Sequence, residues 1–290
     1  MKKLAIIILI LGTLSCKEKA PENKSTIQKL SVNDIKLADP KPGEWLYAHE
    51  EFGQTFNQYI QTKPIRPTKD RNVIYLQPIG AFDSLQQSYI RGTHSYLKVF
   101  FGLDVELLPT MDDSVIPDAA RRVGSEGNEQ LLATYILDEM LKKRLPQDAI
   151  GLMAITTKDL YPRASWNYVF GLSSLEDRVS VTSMYRLHDE LDQRKGLNRL
   201  IKVSSHEITH MLSMKHCVHA LCLMNGSNHL VEVDSKPNRL CSECTAKLTW
   251  NINLDPVIRL ELLSSFFEQN GLTADHQMML RDLKTLKVEK

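Results

Sequence analysis

Apolar residues fall into short continuous runs and longer stripes of helical spacing, and the two kinds alternate through the first half of the chain. Val73–Gln77 (VIYLQ) is a continuous run ended by Pro78 and Gly80, which predicts a buried strand. From Phe82 to Phe101 the positions Leu85, Tyr89, Tyr96, Leu97 and Phe100 recur at helical spacing. Leu103–Leu108 predicts a second strand, Asn128–Leu145 an amphipathic helix stopped by Pro146, and Ile150–Thr156 a third strand. Strand, helix, strand, helix, strand is the order of an α/β layer on a largely parallel sheet. Tyr168–Leu172 and Val179–Met184 are further β-prone runs, followed by one long predicted helix, His188–Met214. Two more helices are expected near Pro256–Gln269 and Ala274–Leu286. Ahead of the first strand, residues 43–60 carry Trp45, Leu46, Phe52, Phe56 and Tyr59 in a loosely helical spacing and are expected to cover the main domain.

The N-terminus has a different pattern. Lys2 and Lys3 precede an almost wholly aliphatic stretch, Leu4–Leu14, closed by Ser15 and Cys16. That stretch is too short to cross a bilayer, which takes about 20 residues, and it suits the apolar region of a secretory signal. It resembles a bacterial lipoprotein signal, cleaved before a cysteine that then carries lipid, although Thr13 stands where such signals usually have Leu. An ordinary secretory signal and an uncleaved anchor are the alternatives. Residues 1–15 are thus expected to be a signal and residues 16–42, polar and poor in aromatics, a flexible tether. Residues 43–290 are left as the folded domain. This arrangement is expected to place the protein in the bacterial cell envelope, outside the cytoplasm and lipid-anchored to the membrane.

The 290 residues are 42% hydrophobic and 24% charged, ordinary for a globular chain. Loss of Lys2 and Lys3 with the signal takes the formal charge from +1 to −1, and no long basic run occurs, so composition offers nothing to a nucleic acid. Four of the five cysteines, Cys217, Cys222, Cys241 and Cys244, lie within 28 residues of one another, unlike the wider spread of a disulfide scaffold.

The chemistry concentrates at residues 206–216, HEITHMLSMKH. His206 and His210 are four apart, so on a helix they project from one face and can bind one zinc. Glu207 points slightly round the helix, where its carboxylate can act as general base on a zinc-activated water without filling a coordination site. His216, six residues beyond His210, can be the third ligand only if the helix breaks, and position 213 is the natural place. The other histidines have no such spacing and read as surface or core residues.

With these pieces in hand, His206-Glu207, His210, His216-Cys217, Cys222, Met224 and Cys241-Ser-Glu-Cys244 together resemble the archaemetzincin family of zinc metallopeptidases. DLYP at Asp159–Pro162, WNYVFG at Trp166–Gly171, VIYLQPIGAF and FFGLDVELLP extend the resemblance over roughly Gly43 to Trp250. It implies a metzincin-like zincin fold of the α/β (α+β) kind: a mixed sheet with helices, the active-site helix, and a smaller C-terminal helical part. Met224 resembles the methionine that floors the zinc site in that superfamily, and a core methionine is the plain alternative. One departure is Ser213, where metzincins have Gly at a sharp backbone turn. A non-Gly residue there costs about 1–2 kcal/mol.

Cys217, Cys222, Cys241 and Cys244 resemble a structural tetrahedral zinc site, which would bring the total to two Zn²⁺ per chain. Two disulfides are the competing reading for an exported protein. The resemblance implies a peptidase acting on peptide or protein substrates, with Tyr168–Leu172 as the sheet edge that receives an extended peptide. A catalytically inactive, zinc-stabilised scaffold is the alternative; the intact Glu207 speaks against it and Ser213 keeps it open.

Overall fold

The computed structural model of the chain describes residues 23–287 apart from residue 190. Among the described residues eight strands are found: β1 (Val73–Ile79), β2 (Asp104–Leu107), β3 (Arg121–Val123), β4 (Glu129–Leu132), β5 (Ala149–Thr156), β6 (Asp159–Tyr161), β7 (Gly171–Ser173) and β8 (Val179–Ser183). Every residue of β5 is buried, which is what a central strand covered on both faces requires, and why its sequence (AIGLMAIT) carries no alternation. It sits in the middle of a five-stranded sheet of order β2-β1-β5-β8-β7. The first four strands are parallel and β7 alone runs antiparallel, as the outer strand beyond β8. A smaller sheet, β3-β4-β6, lies beside it.

Side chains from β5 go alternately to two cores. Met153 and Ile155 join the larger one, with the helices Ser84–Phe101 and Gln193–Met211 and the C-terminal helices Ser242–Ile252, Pro256–Gln269 and Thr273–Lys287. Leu152 and Ala154 join the smaller one, under the helical turns of residues 133–144. The result is a mixed-sheet α/β fold with the helical C-terminal part expected from sequence.

Local signals set several of these bounds. The helix Ser84–Phe101 starts two residues later than the apolar stripe suggests, because Asp83 and Gln86 close a reciprocal capping box, and it ends at Gly102 in the left-handed conformation (φ 59°). The long helix begins at Gln193 rather than His188, since Asp189 and Asp192 fold the preceding segment back on their own backbone amides. The helix expected over Asn128–Leu145 is corrected: its first turn is strand β4, which is paired on both sides with β3 and β6, and the helix starts only at Ala133. Tertiary pairing here overrides the helical spacing.

The described part of the expected tether is also corrected. Asn23–Gln28 is helical, and Ile27 and Leu30 are buried in the larger core. Asp34 accepts from Arg239 Nη1 (2.8 Å) and from the backbone N–H of Ser242 (3.1 Å), while Asp282 holds the same guanidinium at 2.6 Å. Asp34 thereby caps the helix Ser242–Ile252, whose own N-cap residue, Cys241, makes no capping hydrogen bond. This helix was not expected from the sequence, because its cap lies more than 200 residues upstream. Residues 1–22, which include the signal and Cys16, lie outside the described residues. Among the described residues no helix is long and apolar enough to cross a membrane.

Asp34→Ala removes a cap and half of a buried ion-pair network, so it is expected to destabilise the protein by about 2–4 kcal/mol. Urea denaturation followed by circular dichroism measures this. A change below about 0.5 kcal/mol would mean that the N-terminal segment contributes nothing to the folded domain.

Candidate active site

The helix Gln193–Met211 runs beneath the five-stranded sheet and delivers His206, Glu207 and His210 to the floor of a cleft of about 1010 Å³. Its carbonyl ladder ends at Leu212, and Ser213 adopts the left-handed conformation (φ 65°) at the position read from sequence as the break. The serine is held there on both sides. Its Oγ accepts from the backbone N–H of Ile65 (3.2 Å) and donates to the carbonyl of Leu175 (3.2 Å). Two side-chain bonds, each worth about 0.5–1.5 kcal/mol, offset the cost of placing a non-Gly residue there. The turn therefore survives the loss of glycine and carries the chain back to His216.

The structure brings His206, His210 and His216 together, with one ring nitrogen from each inside a sphere of mutual distances under 4.8 Å. All three rings are oriented through Nδ1–H. His206 donates to the carbonyl of Leu223 (2.9 Å), His210 to that of Met214 (2.6 Å), and His216 to Glu51 Oε1 (2.7 Å). Each Nε2 is then left with a lone pair, and the Nε2 atoms of His206 and His210 lie 3.0 Å apart. Burial, with adjacent cations adding to it, holds His206 far below the ordinary histidine range and His210 down to about 3, so both rings are neutral. Buried lone pairs converging at this distance repel unless a cation sits among them. Tetrahedral zinc with bonds of ~2.0–2.1 Å needs nitrogens about 3.3 Å apart, so the donor set fits that metal.

Glu207 is buried against β7. Burial raises its carboxyl to about 7, partly opposed by a hydrogen bond from Ser173 Oγ to Oε2 at 2.5 Å. Gly171 on the same strand has to lack a side chain, since a Cβ would lie 2.7 Å from Glu207 Oε1. The edge strand observed, Gly171–Ser173, is displaced from the expected Tyr168–Leu172, because Val169 is bonded instead to Leu160 in the smaller sheet (2.9 Å). β7 still borders the cleft. Lys236, also lining it, is buried, and its ammonium donates to the carbonyl of Asn225 at 2.8 Å.

Met224 is fully buried in the core, and its carbonyl accepts from Cys217 N–H at 2.8 Å. Cys217, Cys222, Cys241 and Cys244 are all free and buried, with sulfurs within 4.8 Å of one another. Cys217 Sγ lies 3.6 Å from Cys241 Sγ, far from the ~2.05 Å of a disulfide and close to the ~3.7 Å edge of a zinc–thiolate tetrahedron. The expected cluster is therefore assembled, and in the arrangement that suits a metal.

Sequence reasoning missed Glu51, Ser173, Gly171 and Lys236. None stands at a fixed spacing from the histidine motif; Glu51 is 165 residues from His216. His49, read as an ordinary surface or core histidine, is stacked on Trp166 (5.6 Å between centroids) beside the cleft.

A helix bearing His-Glu and a second His, a left-handed turn, a third His and an edge strand above them make up the site of a zinc metallopeptidase. The sequence profile of Peptidase family M54 matches residues 125–250. Archaemetzincin-2 of Homo sapiens is 33% identical over 276 residues, covering 81% of this chain and 76% of that protein. Archaemetzincin of Pyrococcus furiosus is 27% identical over 61% of this chain and 93% of its own length. The crystal structure of archaemetzincin from Methanopyrus kandleri superposes with a TM-score of 0.54 at 26% identity, covering 65% of this chain and 99% of that one. The chain belongs to the archaemetzincin family, and it is a zinc-dependent peptidase acting on peptides or proteins.

Because the two bonds of Ser213 Oγ balance the strain at φ 65°, Ser213→Ala should lose the bonds and keep the strain, for a loss of about 1–2 kcal/mol. Ser213→Gly should lose both together and stay within about 1 kcal/mol of the parent. Thermal denaturation of the two variants side by side measures the difference; Ser213→Ala as stable as Ser213→Gly would contradict this account of the turn.

Proposed function

We propose that His206, His210 and His216 hold the catalytic zinc through Nε2, that Glu207 is the general base, and that Cys217, Cys222, Cys241 and Cys244 hold a second, structural zinc. The observation that carries this reading is the common use of Nδ1–H in all three imidazoles, which turns the Nε2 side of each ring toward one point. When bound, zinc supplies Lewis-acid polarisation of the scissile carbonyl and lowers the pKa of a water toward ~7. Glu207 stands beside the triad without joining it, so its carboxylate accepts the proton of the attacking water and delivers it to the departing amine. Ser173 holds one carboxylate oxygen and fixes the direction in which the other presents. The free edge of β7 supports binding of an extended substrate by strand addition.

The cysteine cluster ties the turn after His216 to the helix Ser242–Ile252 and so braces the third histidine. The scaffold alternative rested on Ser213, and the hydrogen-bonded left-handed turn at that serine supports the peptidase reading instead. We also propose that the protein is exported and lipid-anchored through Cys16, on the strength of Lys2, Lys3 and the aliphatic stretch Leu4–Leu14.

Glu207→Ala should lower kcat on a peptide library by at least about 1000-fold while two zinc ions per chain remain by elemental analysis, because Glu207 is a base and not a ligand. Undiminished turnover would exclude it as the base, and loss of one zinc would make it a ligand. Cys16→Ser, expressed as the full chain, should move the protein from the membrane fraction to the soluble extracytoplasmic fraction. If it stays membrane-bound, the anchor is not a lipid on Cys16.

A further inference from the structure

The three histidines are not oriented by equivalent means. His206 and His210 stand on a helix and donate to carbonyls of the loop that directly follows it. His216 lies beyond the turn, on no helix or strand, and its Nδ1 partner is a carboxylate from the other end of the fold. That carboxylate, Glu51, lies in residues 43–61, outside the portion matched by the family profile.

This segment is fastened on both sides of Glu51. Upstream, the backbone N–H of Trp45 donates to Glu232 Oε1 at 2.8 Å, and the Trp45 ring meets His216 edge-on at 5.0 Å. Close packing leaves Gly226 no room for a side chain, since a Cβ would come 2.3 Å from the Trp45 ring. Downstream, Gln54 accepts from the N–H of Lys215 (3.2 Å) and donates to the carbonyl of Ser213 (3.4 Å), clasping the turn itself. The buried ammonium of Lys247 donates to the carbonyl of Gln54. Glu51 is thus suspended between two anchors with its Oε1 fixed on His216.

Resting on the reading of the triad as the catalytic zinc site, we propose that Glu51 is the positioning residue of His216, making residues 43–61 a working part of the metal centre rather than a cover over the domain. A carboxylate does two things here that a carbonyl does not. It places a full negative charge behind the three imidazole ligands, offsetting part of the charge of a zinc dication in a partly buried site. It also polarises the imidazole, raising the donor strength of Nε2, and it fixes a ring that no helix holds.

The test uses the full chain and compares zinc affinity at both sites, by competition with a chromophoric chelator, in the parent, Glu51→Gln, Glu51→Ala and His216→Ala. Glu51→Ala should weaken zinc at the histidine site by about 10–100-fold and leave the cysteine site unchanged. Glu51→Gln keeps an acceptor but loses the charge and should fall between the two; it is near-isosteric, so it decides the matter if Glu51→Ala does not fold. The metal-free Glu51→Gln protein should melt at the parent's temperature. Affinities within twofold of the parent for both Glu51 variants, with His216→Ala weakened, would overturn the inference alone. An unweakened His216→Ala would overturn the zinc reading and the inference with it. Unchanged affinity with a lowered metal-free melting temperature would show Glu51 to be structural only.

Discussion

Bringing three imidazoles to one point is the constraint on which the rest of the site depends. A helix can supply two of them, four residues apart, and cannot supply the third. The chain has to leave the helix, reverse and return within a few residues, and Ser213 at φ 65° is where it does so. Everything around that reversal acts to hold it. Ile65 and Leu175 bind the serine hydroxyl, Gln54 clasps the backbone of 213 and 215, and Tyr59 donates to the carbonyl of Leu212 at 2.8 Å. These partners come from segments far apart in sequence, so the turn is a tertiary structure rather than a local one.

The electrostatics follow from the same geometry. Burial keeps the first two histidines neutral and raises Glu207, which are the protonation states that a metal-binding triad and a proton shuttle need near neutral pH. Burial acts to raise the carboxyl of Glu51 too, but there the hydrogen bond to His216 opposes it and Glu51 lies below its ordinary value. Two carboxylates lining one cleft are thus set to opposite tasks by what surrounds them: one to exchange a proton, the other to stay charged. The cysteine cluster, one residue beyond His216, fastens the returning chain to the C-terminal helices, and Asp34 from the N-terminal segment caps the helix that carries Cys244. Both ends of the described chain thus converge on the support of one loop.

Much of the architecture could be read from residue pattern. β1 and β5 were visible as apolar runs, and the helix Pro256–Gln269 was placed at its observed bounds, because Asp255 and Pro256 mark its start locally. The readings that failed were those in which distant groups outweighed local preference. β4 has helical spacing and pairs as a strand; Ser242–Ile252 has no local cap and borrows Asp34; residues 23–34 are polar enough for a tether yet bury Ile27 and Leu30.

The sequence by itself determined the inventory of chemistry: two histidines on one helical face, a carboxylate between them, a third histidine past a forced break, and four clustered cysteines. Such groups are close in the chain, so spacing alone carries the information. The tertiary structure alone decided what orients them. Glu51 behind His216, Ser173 on Glu207, Gly171 making room beside it, and the two hydroxyl bonds that let a serine take a glycine's conformation are contacts between segments tens to hundreds of residues apart. No periodicity records such contacts, because they are fixed by the packing of whole elements and not by the geometry of any one of them.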